Sequence, residues 1–526
     1  MKGRPPRDLP SPPRRIPGHW LSAYRPLDLP STFAVDASAS PNPEIGYAGR
    51  GRADGGQVGN RERVATPERV ATPERAFAPE RAFARDAFRP FGSDFPLGSV
   101  VSSRLGSVVS PVSPAPFFWP AAAHSYGDLP SMALLPTWAA WVLPLAFFGP
   151  LLIAAGTLYP IRRYADRLGL LDRPGGHKSH TRPTPLGGGI GIWLAVMLTF
   201  AAGTAWVSAC LTFPAWQGLL PAGAASHLEG AWQRVGPLWA ILAAGTLLVA
   251  LGLADDRRGI PWWARLGVQF AIAAWVVYRL GIGFTLFVPL RGLTDFLSVV
   301  WIVAVINSFN MLDNMDGLSG GVATIISLSM ASVMATTPNP GMEEPQIFLA
   351  ALLLVLAGAL LGFLWHNRPP AKIFMGDGGS YFVGFLVGVA MLMATYAGGW
   401  DHNGTDRAGA AETIRDFRRP HAVLAPLCAM AVPLYDMVTV LWIRVREGRS
   451  PFVGDRSHFS HRLVELGLSR TGAVLTIYLV TATCGLAAVL LAHVTAPQAI
   501  AVLGIVLCML LLVMILESTG WRDRNV

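Results

Sequence analysis

Beyond Met132, apolar runs recur along the chain, each about as long as a helix needs to cross some 30 Å of hydrocarbon. Eleven can be read, at about 136–159, 187–210, 237–254, 262–280, 294–312, 319–336, 346–365, 379–398, 423–443, 472–493 and 498–517. A backbone in hydrocarbon must satisfy its polar groups internally, so runs of this length are helices. The expected fold is an all-α polytopic membrane protein of about 11 transmembrane helices. Composition agrees: 52% of the chain is hydrophobic and 14% charged, where a soluble protein carries about 25% charge. Cys210, Cys428, Cys484 and Cys508 stand singly, with no CxxC, so neither a disulfide framework nor a zinc site is indicated.

Residues 1–131 are different. They hold 16 basic and 12 acidic residues, many prolines, and no run able to span a bilayer. A hexapeptide repeats from Arg63-Val-Ala-Thr-Pro-Glu68 through Arg81–Asp86, and its prolines prevent a continuous helix. The segment is expected to be a disordered low-complexity tail preceding the transmembrane domain at 132–526. It is either a genuine tail or upstream sequence ahead of a true start at Met132. No apolar stretch follows its basic beginning, so it is not a signal peptide.

Alternate loops differ in charge. One set, beginning with 160–186 and including 255–265, 366–378 and 444–471, holds 19 Lys and Arg; the other holds 7. The positive-inside rule makes the first set cytoplasmic, the N-terminus external and the C-terminus cytoplasmic. Of the net charge of +9, the tail carries +4 and residues 132–526 carry +5; the latter lies largely at the cytoplasmic face and gives no sign of nucleic acid.

Those same loops hold the chemistry. Asp255-Asp256 closes the third run; two adjacent carboxylates repel unless a cation or proton answers them, and the bland reading is a solvated cluster paired with Arg257 and Arg258. Asn307, Asn310, Asp313 and Asp316 recur at every third position at the end of the fifth run. On a helix they would share a drifting face and converge near the cytoplasmic surface. Asn367 leads into Phe-Met-Gly376-Asp377-Gly-Gly, a glycine-rich turn opening a helix. Free N–H groups there favour an anion, and a carboxylate beside such a turn suits Mg²⁺, which takes one or two carboxylates plus phosphate oxygens. Lys178 and His180 could grip a pyrophosphate or simply anchor the membrane face. In Asp455-Arg456-Ser-His458-Phe-Ser-His461, histidines at i, i+3 could ligate a metal, though the arginines around them point to an anionic ligand.

In this order, between these spans, the motifs resemble the polyprenyl-phosphate N-acetylhexosamine-1-phosphate transferases over roughly residues 136–470. The matching elements are Lys178-x-His180, Asp255-Asp256, Asn307-x-x-Asn310-x-x-Asp313-x-x-Asp316, Asn367…Gly376-Asp377, Pro433-x-x-Asp436 and Asp455-x-x-His458-x-x-His461. Three positions depart from the pattern. Asn314 stands where glycine is usual, Arg265 where lysine is common, and Ser460 replaces the middle histidine of His-x-His-His.

The resemblance implies transfer of a sugar-1-phosphate, foremost GlcNAc-1-phosphate, from a UDP-sugar to undecaprenyl or another polyprenyl phosphate. UMP would be released in a multi-pass inner (plasma) membrane protein with its active site facing the cytoplasm, at the start of cell-wall or surface-polysaccharide synthesis. Catalytic roles fall to Asp255, Asp256, Asp313 and Asp316, and Mg²⁺ (with Mn²⁺ as its substitute) to Asp377 and Asn310. Substrate contacts fall to Lys178, His180, Asn307, Asn367, Arg456, His458 and His461. A homodimer is compatible with it. The alternative within the superfamily is phospho-MurNAc-pentapeptide transfer, and the rival outside it is an ion-coupled transporter or flippase. A transporter places its ionisable groups near the midplane; here they cluster at cytoplasmic helix ends, with Asp436, inside the ninth span, the exception.

Overall fold

The computed structural model describes residues 135–167, 169–172, 183–284, 290–337, 345–395, 420–454 and 457–522. The expected tail, the start at Met132, and Lys178, His180 and Arg456 lie outside the described residues. In chain order the elements are α1 (Ala139–Tyr164), a two-residue antiparallel strand pair (Leu171–Asp172 with Thr184–Pro185), α2 (Gly188–Thr212), α3 (Leu228–Gln233) and α4 (Val235–Arg258). There follow α5 (Trp262–Leu280), α6 (Arg291–Leu312), α7 (Leu318–Thr336), α8 (Ile347–Asn367) and α9 (Gly376–Thr395). Last come α10 (Ala425–Ala429), α11 (Ala431–Arg446), α12 (Phe459–Glu465), α13 (Arg470–Leu491) and α14 (Ala496–Arg522).

Each apolar run read from the sequence coincides with a helix or with the α10–α11 pair. Nine helices are long and apolar enough to cross a membrane among the described residues, and up to ten spans result if the pair bent by 64° near Met430 counts as one. The remaining run is α5, whose apolar length is diluted by Arg265, Gln269 and Arg279. The protein is an all-α polytopic membrane protein, the strand pair aside.

Helix α9 is the centre of the bundle. Of its apolar window 94% is buried, against 11% for α14, and it packs on α4 and α6, with α2 and α8 beside them. Small residues make this possible, as membrane helices need when packing must replace a hydrophobic driving force. A Cβ on Gly252 of α4 would lie 2.2 Å from Gly378 N, and one on Gly189 of α2 would lie 2.3 Å from Gly379 N. The first turn of α9 is thus clasped between the backbones of α2 and α4. The segment before α2 completes the clasp: Phe374 N donates to Pro185 O, and Gly188 N and Gly189 N donate to Phe374 O and Met375 O.

Helix α8 meets α1 in the same manner. A Cβ on Gly358 would sit 2.1 Å from Phe147 O, and one on Gly362 2.4 Å from Leu151 O. Both obstacles are backbone, so neither gives way cheaply. Gly358→Ala is expected to destabilise the protein by about 1–3 kcal/mol, measured as a lowered thermal midpoint in detergent. Gly203→Ala, where nothing lies within 4 Å, is expected to leave the midpoint unchanged or slightly raised.

Candidate active site

The site grows from the first turn of α9. Gly376 has φ +72°, and a Cβ there would lie 2.7 Å from Asp256 Oδ2, so glycine is required on both counts. Asp256, at the end of α4, accepts the backbone N–H of Asp377 at 3.1 Å and that of Gly378. The helix start that the sequence assigns to an anion is therefore already capped by a carboxylate of the protein itself.

Asp377 points across to α6. Its Oδ1 accepts Asn310 Nδ2 at 2.7 Å, and the same amide donates to Ser380 Oγ at 3.0 Å. Both donor bonds are spent on α9, and among the described residues no donor is seen at Asn310 Oδ1. Arg265 Nη1 donates to Asp255 Oδ2 at 2.5 Å and stands 3.9 Å from Asp377 Oδ2. Asp255 also accepts Ile260 N at 2.7 Å and the Tyr381 hydroxyl at 3.3 Å. The two adjacent aspartates thus meet α9 at different places: Asp255 bridges Arg265 of α5 and Tyr381 one turn into α9, and Asp256 caps its first N–H groups.

A second wall is the turn after α6. The every-third-residue spacing predicts one helical stripe reaching Asp316, but the helix ends at Leu312. Asp313 caps it with φ −78° and ψ 51°, and Gly317 turns the chain at φ +79°. Asp316 is placed by the turn: its Oδ2 accepts Ala371 N at 2.9 Å. Asn367 is buried, accepting Gly317 N at 2.8 Å and donating to Ile373 O at 2.7 Å. Both side chains brace the loop that leads into Asp377. Asn307 donates to Gln269 Oε1 at 2.7 Å, deeper along the same helices.

Asp313 is different. Among the described residues its carboxylate has no hydrogen-bond partner, and Asp256 and Asp316 face it electrostatically. Burial first, and then those two charges, push its carboxyl up from 3.8 to about 7.

The third wall is the histidine loop. His458 Nδ1 donates to Asp436 Oδ2 at 3.1 Å and Phe459 N to Asp436 Oδ1 at 2.6 Å, with Asp436 wholly buried in α11. The bond at Nδ1 fixes the ring's orientation. Arg462 Nε donates to Glu517 Oε2 of α14 at 3.1 Å, and Tyr435 Oη donates to the same oxygen at 2.8 Å. Ser460 reaches Asn314 beside Asp313 at 2.5 Å, so this loop meets the carboxylate turn. His461 lies half-buried on α12, the short helix that His458 precedes as its N-cap. At the rim, Trp262 of α5 stacks on Phe452 of the preceding loop, with centroids 3.8 Å apart and planes within 4°.

Asp256, Asp313, Asp316, Asp377, Asn310, Asn367 and His458 are thereby gathered at one end of the bundle. Sequence reasoning did not single out Gln269 or Glu517, or see that Asp436 holds His458. Gln269 was the most findable, as a lone amide one turn beyond Arg265 in an apolar helix.

Comparison with known proteins follows the same segments. The glycosyl transferase family 4 profile matches residues 238–395. The decaprenyl-phosphate N-acetylglucosaminephosphotransferase of Mycobacterium tuberculosis is 30% identical over 332 residues, covering 61% of this chain and 75% of the relative. The chain belongs to the polyprenyl-phosphate N-acetylhexosamine-1-phosphate transferase superfamily. Two further relatives are each 27% identical to this transferase. The probable undecaprenyl-phosphate N-acetylglucosaminyl 1-phosphate transferase of Bacillus subtilis matches over 64% of this chain and 81% of its own. The undecaprenyl-phosphate alpha-N-acetylglucosaminyl 1-phosphate transferase of Escherichia coli matches over 62% and 77%.

The raised carboxyl of Asp313 has a measurable consequence. Between its unfolded value near 3.8 and its folded value near 7, the folded transferase holds a proton the unfolded chain has lost. Stability therefore falls as pH rises through that window and levels off above it. In divalent-free detergent, Asp313→Asn is expected to flatten this slope and raise the thermal midpoint at pH 8.

Proposed function

We propose that this transferase moves GlcNAc-1-phosphate from UDP-GlcNAc to a polyprenyl phosphate and releases UMP. Its active site would face the cytoplasm at the inner (plasma) membrane. The observation that carries the reading is the convergence of Asp256, Asp313 and Asp377 with Asn310, opposite a loop presenting His458. Both substrates are anions, and a cluster this acidic receives them only through a cation.

The donor set suits Mg²⁺, with Mn²⁺ as its substitute. No three His, Cys, Asp or Glu side chains among the described residues form a ready-made ligand cage. That accords with an ion that keeps waters and phosphate oxygens around one or two protein ligands. Asp377 Oδ2 and Asn310 Oδ1 would hold it. When bound, the ion supplies neutralisation of the pyrophosphate charge.

In the reaction, an oxygen of the lipid phosphate attacks the β-phosphorus of the UDP-sugar, and the bond from that phosphorus to the bridging oxygen breaks, leaving UMP. Lipid phosphate is largely ionised near neutrality, so no strong base is needed. Asp256 and Asp313 orient the acceptor against the donor, and Arg265 answers the charge of Asp255. His458, its Nδ1 fixed by Asp436, offers the opposite edge of its ring to the donor phosphates. Lys178, His180 and Arg456 would add positive charge around the pyrophosphate, and the 444–470 loop would select the uridine and the sugar. Asn367 and Asp316 act through the loop they brace.

Asp436, the carboxylate inside a span, accepts two hydrogen bonds and is wholly buried. It is thus occupied as a brace, which favours a transferase over an ion-coupled transporter.

The test is UMP release by the purified protein given UDP-GlcNAc, undecaprenyl phosphate and Mg²⁺. Release is expected to require all three, and Asp377→Asn to lower it about 100-fold or more while the thermal midpoint is kept. Release independent of the lipid phosphate, or obtained with UDP-MurNAc-pentapeptide in place of UDP-GlcNAc, would overturn this assignment. Asp436→Asn is expected to cost about 10–100-fold in the same assay, the range for a hydrogen bond to a charged group.

A further inference from the structure

Two of the three positions that depart from the superfamily pattern touch each other. Ser460 is wholly buried, and its Oγ donates to Asn314 Oδ1 at 2.5 Å across 146 residues of sequence. The amide is held in that orientation, because Asn314 Nδ2 donates to Met311 O at 2.9 Å and a carbonyl there accepts only a donor. Asn314 directly follows Asp313, while Ser460 lies between His458 and His461. The back of the loop is already anchored, His458 on Asp436 and Arg462 on Glu517. Ser460 ties its front to the carboxylate turn.

We propose that Asn314 and Ser460 are a positioning latch that sets the spacing between the carboxylate turn and the histidine loop for the UDP-sugar. This rests on the transfer reaction proposed above. Neither residue touches substrate. A serine hydroxyl needs the amide of Asn314 to reach across, whereas an imidazole at 460 needs that space empty, as a glycine at 314 leaves it. The two departures are therefore one exchange: a neutral hydroxyl–amide bond in place of an imidazole. The loop keeps its register without an ionisable group at that point.

The test uses the full chain in detergent, with kcat and the KM for UDP-GlcNAc measured separately alongside the thermal midpoint. Ser460→Ala and Asn314→Gly are each expected to raise KM about 3–10-fold, the size of one neutral hydrogen bond, with kcat within about twofold. The double variant S460A/N314G should be no worse than the poorer single, because one interaction is lost only once. Ser460→His alone should be impaired, and adding Asn314→Gly should recover about threefold or more of kcat/KM. Losses that multiply in the double variant, a fall in thermal midpoint with unchanged KM, or no recovery in the exchanged pair would overturn the latch. If the unaltered chain releases no UMP, the proposed reaction fails. The latch is then judged by the Kd for UDP-GlcNAc, where losses shared rather than multiplied in the double variant support it and unchanged or multiplied losses refute it.

Discussion

The first turn of α9 depends on backbone touching backbone. Gly252 and Gly189 leave no room for a side chain against Gly378 and Gly379, so α2 and α4 close on the start of α9 from two sides. Everything acidic in the site inherits its position from that contact. Asp256 reaches the N–H of Asp377 because α4 lies so near, and Asp377 reaches Asn310 because α6 packs on the next face. Gly384 repeats the device one level deeper, where a Cβ would lie 2.8 Å from Ile306 Cα. A membrane bundle has little hydrophobic drive to hold helices together, and close backbone approach is its substitute.

The clasp brings together carboxylates that would separate if free to do so. Arg265 answers Asp255, and the N–H groups of α9 answer Asp256. Asp313 is left facing two like charges. The protein thus stores unfavourable electrostatics where a cation and anionic substrates are proposed to meet, so that their arrival relieves a cost already present. Around this acidic centre the remaining polar groups act as braces. Asn367 and Asp316 fix the loop into α9, while Asp436 and Glu517 fix the histidine loop.

Much of this was legible in the sequence because it is local. Apolar length locates the helices, and the motifs cluster at helix ends where polar residues would otherwise be costly. The limits are equally physical. Spacing of three suggests a helical stripe through Asp316, but it cannot see that Asp313 ends the helix and that Gly317 turns the chain. Adjacent aspartates look equivalent in a sequence; about 100° of helical rotation sends one to Arg265 and Tyr381 and the other to the N–H groups that open α9. Pairings such as Asp436 with His458, Asn307 with Gln269 and Asn314 with Ser460 join separate elements, and periodicity carries no information about them. The two-residue strand pair before α2 is likewise invisible, because it is made by hydrogen bonds across a long loop.

Asp377 and Asn310, held by the clasp, are proposed to bind a divalent ion at the donor pyrophosphate. Electron paramagnetic resonance of Mn²⁺ added to the purified protein with UDP-GlcNAc reads this directly. One bound Mn²⁺ with hyperfine coupling to phosphorus is expected, lost in Asp377→Asn while the protein stays folded. Phosphorus coupling that persists unchanged in Asp377→Asn, or bound Mn²⁺ with no phosphorus coupling, would contradict it.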